Sequence, residues 1–191
     1  MNTEYTHEEQ KQLLRIARQA LEAVTHGQPR PELGNIPAAL KEPRACFVTL
    51  RRNETQELRG CTGTVTARRP LAEEVSISTE QTALHDPRFS PVSANETPDI
   101  NIEISVLTPP VPLDYESPAD LLKRVRPNID GVFLQHGYHR ATYLPQVWES
   151  IADPAQFFTM LSRKMGLPGD AWRTLPMKVF TYQSISFEEE D

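Results

Sequence analysis

The sequence has few cysteines, no long apolar run and no excess of positive charge. Cys46 and Cys61 are its only cysteines, too few for a disulfide framework, and reduced thiols fit a cytoplasm better. No stretch approaches the roughly 20 apolar residues of a membrane span, and no basic segment followed by an apolar run opens the chain. The formal net charge of −6 disfavours nonspecific binding to nucleic acid. We therefore expect a soluble cytoplasmic protein.

The composition is that of a folded chain. Its 191 residues are 38% hydrophobic and 24% charged, which is enough apolar sequence for a core and is not the profile of disorder. The length fits one domain, or one domain with a small lobe, and we predict a single domain over residues 1–191.

Periodicity predicts a mixture of helices and strands. A capping-box pattern at Thr6 and Glu9 opens a helix whose apolar spacing reaches Val24. Residues 100–107 alternate as a half-buried strand. Further helices are predicted over 70–84, 118–124, 145–151 and 154–165, and further strands over 45–51, 58–66, 179–187 and the two arms of a hairpin at 130–144. Without a regular βαβ rhythm, this pattern predicts an α+β fold with a mostly antiparallel sheet and flanking helices.

The stretch Leu58–Thr64, LRGCTGT, indicates a site. Gly60 and Gly63 permit close backbone approach and a bulge around Cys61, and successive amides in such a bend can bind an anion. Ideal strand alternation places Arg59 and Cys61 on one face, where the guanidinium would favour a thiolate, which is a nucleophile or a metal ligand. Two alternatives stay open: a cysteine that only lines a pocket, and a buried cysteine that only packs.

Five further segments accompany that stretch: DPRF at Asp86–Phe89, IEISVLTP at Ile102–Pro109, DGV at Asp130–Val132, ATYLPQVWE at Ala141–Glu149 and RKMGLP at Arg163–Pro168. Together the six segments resemble the AMMECR-one domain family, also called AmmeMemoRadiSam system protein A, over roughly residues 8–188. The resemblance implies an α+β fold with one larger and one smaller lobe, and a cleft near the arginine–glycine–cysteine motif. It also implies association with a Memo-type protein and a radical S-adenosylmethionine protein, but no settled activity.

Glu103 is the second catalytic candidate. It lies on the polar face of an otherwise apolar strand, where a carboxylate can accept a proton or bind Arg59 or Arg88. The alternative is an exposed glutamate on the face of a sheet.

Four more residues join Arg59, Gly60 and Gly63 as candidates for substrate binding. Asp86 and Arg88 flank a proline in a turn, where an aspartate accepts local amide bonds and an arginine can reach an anion. Arg140 and Thr142 share a strand face just before a proline that opens a helix. A purely structural role stays open for each of the four.

No metal site or cofactor is indicated by the motifs. His136 and His139 flank a tight turn, without a cysteine pair or an HExxH pattern to support metal binding, and we interpret them as solvated histidines. Neither a dinucleotide-binding nor a P-loop motif occurs.

Two functions are favoured about equally. The first is an enzyme or enzyme component acting on a small anionic or carbonyl substrate, with Arg59 binding it, Cys61 attacking or contacting it, and Glu103 acting as base or orienting group. The second is a non-catalytic binding partner of a Memo-type or radical S-adenosylmethionine protein, docked through the proline-punctuated loop 29–43 and the exposed hairpin. A third, RNA-linked regulation through clustered arginines, ranks last because the chain is acidic. The oligomeric state stays open.

Overall fold

The computed structural model describes residues 5–190, which form two compact units. The larger unit comprises the described residues up to Leu107 together with those from Ile185 onwards, and the smaller unit comprises Thr108–Ser184. The structure contains two antiparallel four-stranded sheets with helices, and the predicted α+β class is therefore confirmed. No helix among the described residues combines the length and the apolar character needed to cross a membrane.

Six α-helices and eight strands make up the regular structure of the described residues. The helices are α1 (His7–Thr25), α2 (Ala38–Lys41), α3 (Leu71–His85), α4 (Pro118–Arg124), α5 (Pro154–Lys164) and α6 (Ala171–Thr174). The strands are β1 (Ala45–Arg52), β2 (Leu58–Gly63), β3 (Ile100–Leu107), β4 (Val111–Pro112), β5 (Gly131–His136), β6 (His139–Tyr143), β7 (Lys178–Tyr182) and β8 (Ser184–Glu188). Short 3₁₀ helices cover Ala94–Asp99 and Pro145–Glu149, the second where a longer helix was predicted.

The sheet of the larger unit has the strand order β2-β1-β3-β8. One of its faces carries alternate apolar residues of β1 and β3, among them Val48, Leu50, Ile102 and Ile104, which are fully buried. Helices α1 and α3 supply most of the remaining core residues, and α1 begins with the predicted capping box at Thr6. Because successive side chains alternate between the faces of a strand, the neighbouring residues of β1 and β3 project from the opposite face.

The smaller unit has the strand order β4-β7-β5-β6 and an aromatic core. Trp148 stacks on Phe157 with 3.7 Å between ring centroids. Gly131 lies against the ring of Tyr182, which a Cβ at this position would meet at 2.4 Å. That close contact explains the glycine of the DGV segment without any ligand.

The strand predicted over 179–187 is two strands that belong to different sheets. β7 pairs with β5 in the smaller unit, whereas β8 is hydrogen-bonded beside β3 in the larger unit. Between them, Gln183 N–H donates to Thr108 Oγ1 at 2.8 Å, and the Gln183 carbonyl accepts from Thr108 N–H at 2.9 Å. The single-strand prediction was wrong because nothing in the alternating pattern marks the change of sheet at one polar residue.

Gly63→Ala is expected to destabilise the protein by about 2–3 kcal/mol, because overpacking a close backbone contact forces the structure to shift. An added Cβ at this position would lie 2.2 Å from the Cys46 carbonyl oxygen and 2.6 Å from the Phe47 Cα. Urea unfolding measures the difference. Gly34→Ala is the matched control, since nothing lies within 4 Å of its Cβ position, and it should change stability by less than about 0.5 kcal/mol. Equal unfolding midpoints for the two variants would contradict the close backbone contact at Gly63.

Candidate functional site

A polar row crosses the face of the first sheet opposite α1 and α3. Thr49 of β1 pairs in register with Cys61 of β2 on one side and with Glu103 of β3 on the other. The Thr49 hydroxyl donates a hydrogen bond to Cys61 Sγ at 3.3 Å. Cys61 is half-buried. The two catalytic candidates are therefore on one face, two strands apart, with Thr49 between them.

A ring of hydrogen bonds holds the backbone of Cys61. Among the strands of residues 5–190, β2 is an edge strand with a neighbour on one side only. On β2, Cys61 N–H donates to Asp86 Oδ2 at 2.9 Å, and Arg88 Nη2 donates to the Cys61 carbonyl at 2.9 Å. Arg88 also binds Asp86 through Nη2 at 2.7 Å and Nε at 3.0 Å. The Asp86–Arg88 pair thus bonds Cys61 as a neighbouring strand would.

Asp86 is buried, and its charge is compensated within the ring. Hydrogen bonds from the Arg88 side chain, and then from the backbone N–H groups of Cys61 and Arg88, hold the pKa of the Asp86 carboxyl well below its usual range. Asp86 therefore stays ionised at any physiological pH and acts as an acceptor only. Its role in the structure is to position Cys61, which accords with the turn role left open from the sequence.

Arg59 does not lie beside the thiol, and the prediction that it does is corrected. Its buried guanidinium binds Glu96 through Nε at 2.8 Å and Nη2 at 3.3 Å. It also donates to the carbonyls of Ser90 at 3.0 Å and Pro91 at 3.3 Å. The pairing of β1 with β2 shifts register at Arg51, so ideal alternation fails at Arg59. The guanidinium that contacts Cys61 is that of Arg88.

Glu96 collects several donors and anchors this part of the chain. Besides Arg59 it accepts bonds from Arg52 Nη2 at 3.2 Å and from Ser93 N–H at 3.1 Å. The hydrogen bond from Arg59 is the main reason that the pKa of Glu96 is lowered to about 2. The Arg59–Glu96 ion pair therefore stabilises the fold and is not part of an open site.

Glu103 has a different partner from those expected. Its Oε2 lies 3.8 Å from Arg51 Nε, and both side chains are partly exposed. The prediction of a bond to Arg59 or Arg88 is not met, because Arg51 is two residues from Thr49 on the same face of the sheet. The row therefore presents a sulfur, a hydroxyl, a carboxylate and a guanidinium.

The two glycines of the motif allow close packing and not unusual dihedral angles. Neither has a positive φ. A Cβ on Gly60 would lie 2.9 Å from Thr82 Cγ2 of α3, and one on Gly63 would meet the backbone of β1. The space that a side chain would occupy is thus filled by neighbouring protein at both positions, which explains both glycines by packing alone.

Arg140 and Thr142 belong to the smaller unit. Thr142 Oγ1 donates to the Val132 carbonyl at 2.8 Å and lies 2.7 Å from Tyr182 Oη, which makes it a structural residue there. Arg140 is exposed. Burial raises the pKa of Tyr182 to about 12, although the hydrogen bond with Thr142 acts in the opposite direction and lowers it.

His136 and His139 each bond a backbone carbonyl through Nδ1, at 2.9 Å to Pro176 and 3.0 Å to Met165. Among residues 5–190 no group of three or more histidine, cysteine, aspartate or glutamate side chains has the placement to hold a metal ion.

Sequence reasoning missed Thr49 and Arg51. Their signal was present, because both alternate with the buried Val48 and Leu50 along β1 and so had to share a face. What the sequence could not show is that this face also carries Cys61 and Glu103, since that depends on the pairing of β1 with both neighbours.

Comparisons with known proteins agree on one family. The chain matches the AMMECR1 family over residues 14–187. It is 35% identical over 187 residues to a protein of Methanothermobacter thermautotrophicus, covering 97% of this chain and 96% of that one. A protein of Methanocaldococcus jannaschii is 33% identical over 185 residues, with coverage of 96% and 92%. The crystal structure of an uncharacterised protein from Pyrococcus horikoshii has a TM-score of 0.85 at 32% identity, covering 98% of this chain and 95% of that chain.

Glu96→Gln is expected to lower the free energy of unfolding at pH 7 by about 1–2 kcal/mol, allowing for solvent screening. A carboxyl whose folded pKa is lowered stabilises the folded state above its unfolded pKa of about 4.3, and this contribution is lost as the pH falls towards 2. The unfolding curves of wild type and variant, measured from pH 7 to pH 2, should therefore converge in acid. Glu57→Gln is the control, because the exposed Glu57 forms no ion pair within residues 5–190. If the difference in the free energy of unfolding between wild type and Glu96→Gln did not change with pH, the stabilising role of the ionised Glu96 carboxylate would be contradicted.

Iodoacetamide is expected to modify native protein once, at Cys61. Cys46 is fully buried, and burial together with the charge of Glu74 raises the pKa of its thiol to about 12. A buried thiol with so little thiolate reacts slowly. Intact-mass measurement of wild type, Cys46→Ser and Cys61→Ser should show one, one and no added group before unfolding. Two groups on native wild type would disprove the burial of Cys46.

Proposed function

The chain belongs to the AMMECR1 family, and we propose that it acts through the surface around Cys61, as an enzyme or enzyme component for a small anionic or carbonyl-bearing substrate. One observation carries the proposal: Cys61, whose thiol is half-buried, has its backbone bonded by Asp86 and by a guanidinium, that of Arg88, which is itself 53% exposed. An exposed arginine fixed at two of its nitrogens is suited to binding an anion.

Arg88 keeps one nitrogen for a ligand. Its Nε and Nη2 bind Asp86, and Nη2 also binds the Cys61 carbonyl, while Nη1 has no hydrogen-bond partner among residues 5–190. Hydrogen bonds with Asp86 raise the pKa of Arg88, so the guanidinium stays charged. A carboxylate or phosphate bound at Nη1 would lie close to Cys61.

Arg51 supplies a second cation on the same face. It is 38% exposed and lies near Glu103, whose negative charge partly offsets it. A substrate extending from Arg88 across Thr49 would reach this pair. The site therefore favours a small molecule that carries an anionic group and a polar group some two strand spacings, or roughly 10 Å, away.

The chemistry suited to this thiol is addition to a carbonyl carbon. The Sγ–carbon bond forms, the carbonyl π electrons move to oxygen, and the proton lost by the thiol ends on that oxygen, giving a hemithioacetal without any oxidant. Thr49 orients Sγ through its hydroxyl. Glu103 lies two strands away from Cys61. As a base or orienting group it therefore acts on the substrate and not on the thiol.

A second candidate function is that of a binding partner for a Memo-type or radical S-adenosylmethionine protein. One observation favours it: Tyr138, at the tip of the β5–β6 hairpin, is completely exposed, and an exposed tyrosine is a common anchor in protein interfaces. Cys61→Ala separates the two functions. Under the binding function, capture of a purified Memo-type protein survives Cys61→Ala and is lost in Tyr138→Ser.

The thiol function is tested by protection of Cys61 against iodoacetamide with a panel of small carboxylates and carbonyl compounds, including glyoxylate and pyruvate. At least one compound is expected to slow alkylation of wild type. Arg88→Gln and Arg51→Gln should each weaken its protection about tenfold or more, because each removes a charge-assisted contact of about 1.5–3 kcal/mol.

Arg68→Gln is the matched control, because this exposed arginine lies outside the row, and its protection constant should equal that of wild type. Circular dichroism melting confirms that the variants fold. If no compound protects Cys61, or if protection is the same in all three arginine variants, the proposed site is wrong.

A further inference from the structure

The two units of the chain differ in the sign of their net charge. The smaller unit, Thr108–Ser184, contains eight arginine and lysine residues and seven aspartate and glutamate residues, so its formal net charge is +1. Because the whole chain has a net charge of −6, the rest of the chain carries −7. The acidity that disfavours binding to nucleic acid therefore lies outside the smaller unit.

One face of the sheet in the smaller unit is turned away from the helices of that unit. Val132, Leu134 and Val179 belong to the aromatic core, to which α4, α5 and α6 contribute the helical side. Because successive side chains of a strand alternate between its faces, the neighbouring residues project from the opposite face. We call this opposite side the outer face; it carries Phe133, Gln135, Arg140, Thr142, Lys178 and Phe180.

Phe133 and Phe180 form an aromatic pair at the centre of the outer face. They lie opposite each other on β5 and β7, with 5.8 Å between ring centroids and 61° between ring planes. Both rings are only partly buried, and neither belongs to the hydrophobic core of the unit. The next row, with Tyr182 buried against Gly131, closes the face at one end. The two phenylalanine rings are therefore the aromatic surface that a ligand can reach.

Two cations flank the aromatic pair on the outer face. Gln135 pairs in register with Arg140 on one side and with Lys178 on the other, so the three side chains form a row next to the rings. Arg140 and Lys178 are exposed, and neither forms an ion pair within residues 5–190. This row is two residues, or about 7 Å, along the strands from the phenylalanines. A base stacked on either ring would keep its phosphate within reach of these long side chains.

The outer face carries little negative charge. The four strands of this sheet, all of which the structure describes, contain no aspartate or glutamate. The ladder continues past β4, where Leu113 N–H donates to the Val179 carbonyl, and this brings the exposed Asp114 beside Lys178. At the opposite edge, Lys164 Nζ donates to the Thr142 carbonyl of β6 at 2.9 Å and adds a third cation. Three cations along this sheet are thus offset by one carboxylate, which favours an anionic ligand.

We propose that the outer face binds single-stranded nucleic acid, whose bases stack on Phe133 and Phe180 and whose phosphates pair with Arg140 and Lys178. Four-stranded sheets with aromatic residues that stack bases bind single-stranded RNA in RNA-recognition modules. β5 and β7 are the two central strands of the sheet here. Stacking accepts any base, so binding depends little on sequence. The outer face contains none of the residues around Cys61, and the inference does not depend on the thiol function.

The test is fluorescence anisotropy with the full chain and fluorescein-labelled octamers of uridine RNA and thymidine DNA. Saturable binding of at least one strand is expected, and the tighter one identifies the sugar. Arg140→Gln/Lys178→Gln should weaken binding at least tenfold. It should also make the slope of log K against log salt less negative by about 1.4, because each phosphate contact of a single strand contributes about 0.7.

Lys123→Gln/Arg173→Gln is the matched control for this double variant. It removes the same charge from exposed positions of α4 and α6, which pack on the other face of the sheet, and it should bind as wild type. No saturable binding of either strand at submillimolar protein overturns the proposal. An equal loss of affinity in both double variants also overturns it, because attraction would then not be localised on the outer face.

Two further arms test the stacking of bases. An abasic octamer keeps the phosphates but has no rings, and it should bind at least fivefold more weakly than the octamer with bases. Phe133→Leu and Phe180→Leu keep an apolar side chain at each position and should each weaken binding of the intact strand to a similar extent, with folding checked by circular dichroism. Equal binding of the abasic strand would mean attraction by charge alone, as for any acidic polymer, and would overturn the proposal.

A last arm tests whether a second copy of the chain covers the aromatic pair. Sedimentation of the protein without nucleic acid is expected to show no association through the outer face. A dimer that Phe180→Ser dissociates would identify a second copy as the occupant and would overturn the proposal.

Discussion

The placement of Cys61 depends on one buried carboxylate. Asp86 accepts hydrogen bonds from the Cys61 N–H and from the Arg88 side chain. Arg88 in turn donates a hydrogen bond to the Cys61 carbonyl, which completes the ring. These side chains bond the outer side of β2, where the described part of the chain provides no further strand. The ring fixes the backbone of Cys61, and the hydrogen bond from Thr49 is the contact that its side chain makes. The backbone at Cys61 is thus fixed on both sides of the strand, by β1 and by the Asp86–Arg88 pair.

Two arginine–carboxylate pairs near the motif perform opposite tasks. Arg59 is buried and donates hydrogen bonds to Glu96 and to two backbone carbonyls. These bonds attach the segment before β3 to β2. Arg88 is exposed and keeps a nitrogen unbonded within residues 5–190. Burial therefore assigns the roles: an arginine whose three nitrogens all have partners in the interior stabilises a fold, and one with a nitrogen left unbonded at the surface can still take a ligand.

Much of the fold follows from local patterns. The capping box and apolar spacing of α1 and the strict alternation of β3 each require a particular structure, and both are present. The candidate site was predicted less well from the sequence than the fold was. Cys61, Glu103 and Arg88 were identified, but the cation that contacts Cys61 was predicted to be Arg59, because ideal alternation ignores a bulge. Thr49 could not be linked to Cys61 and Glu103 because strand register is a property of pairing and not of any one segment.

The hydrogen-bonded contact between Thr108 and Gln183 has a consequence for how the chain is made. The segment between them leaves the first sheet after β3 and returns only at β8, so both of its ends meet at one point. During synthesis, the fourth strand of the first sheet emerges from the ribosome only after the whole smaller unit. Until then the edge of β3 lacks the strand that covers it in the finished fold, and an uncovered strand edge is a template for pairing with another chain.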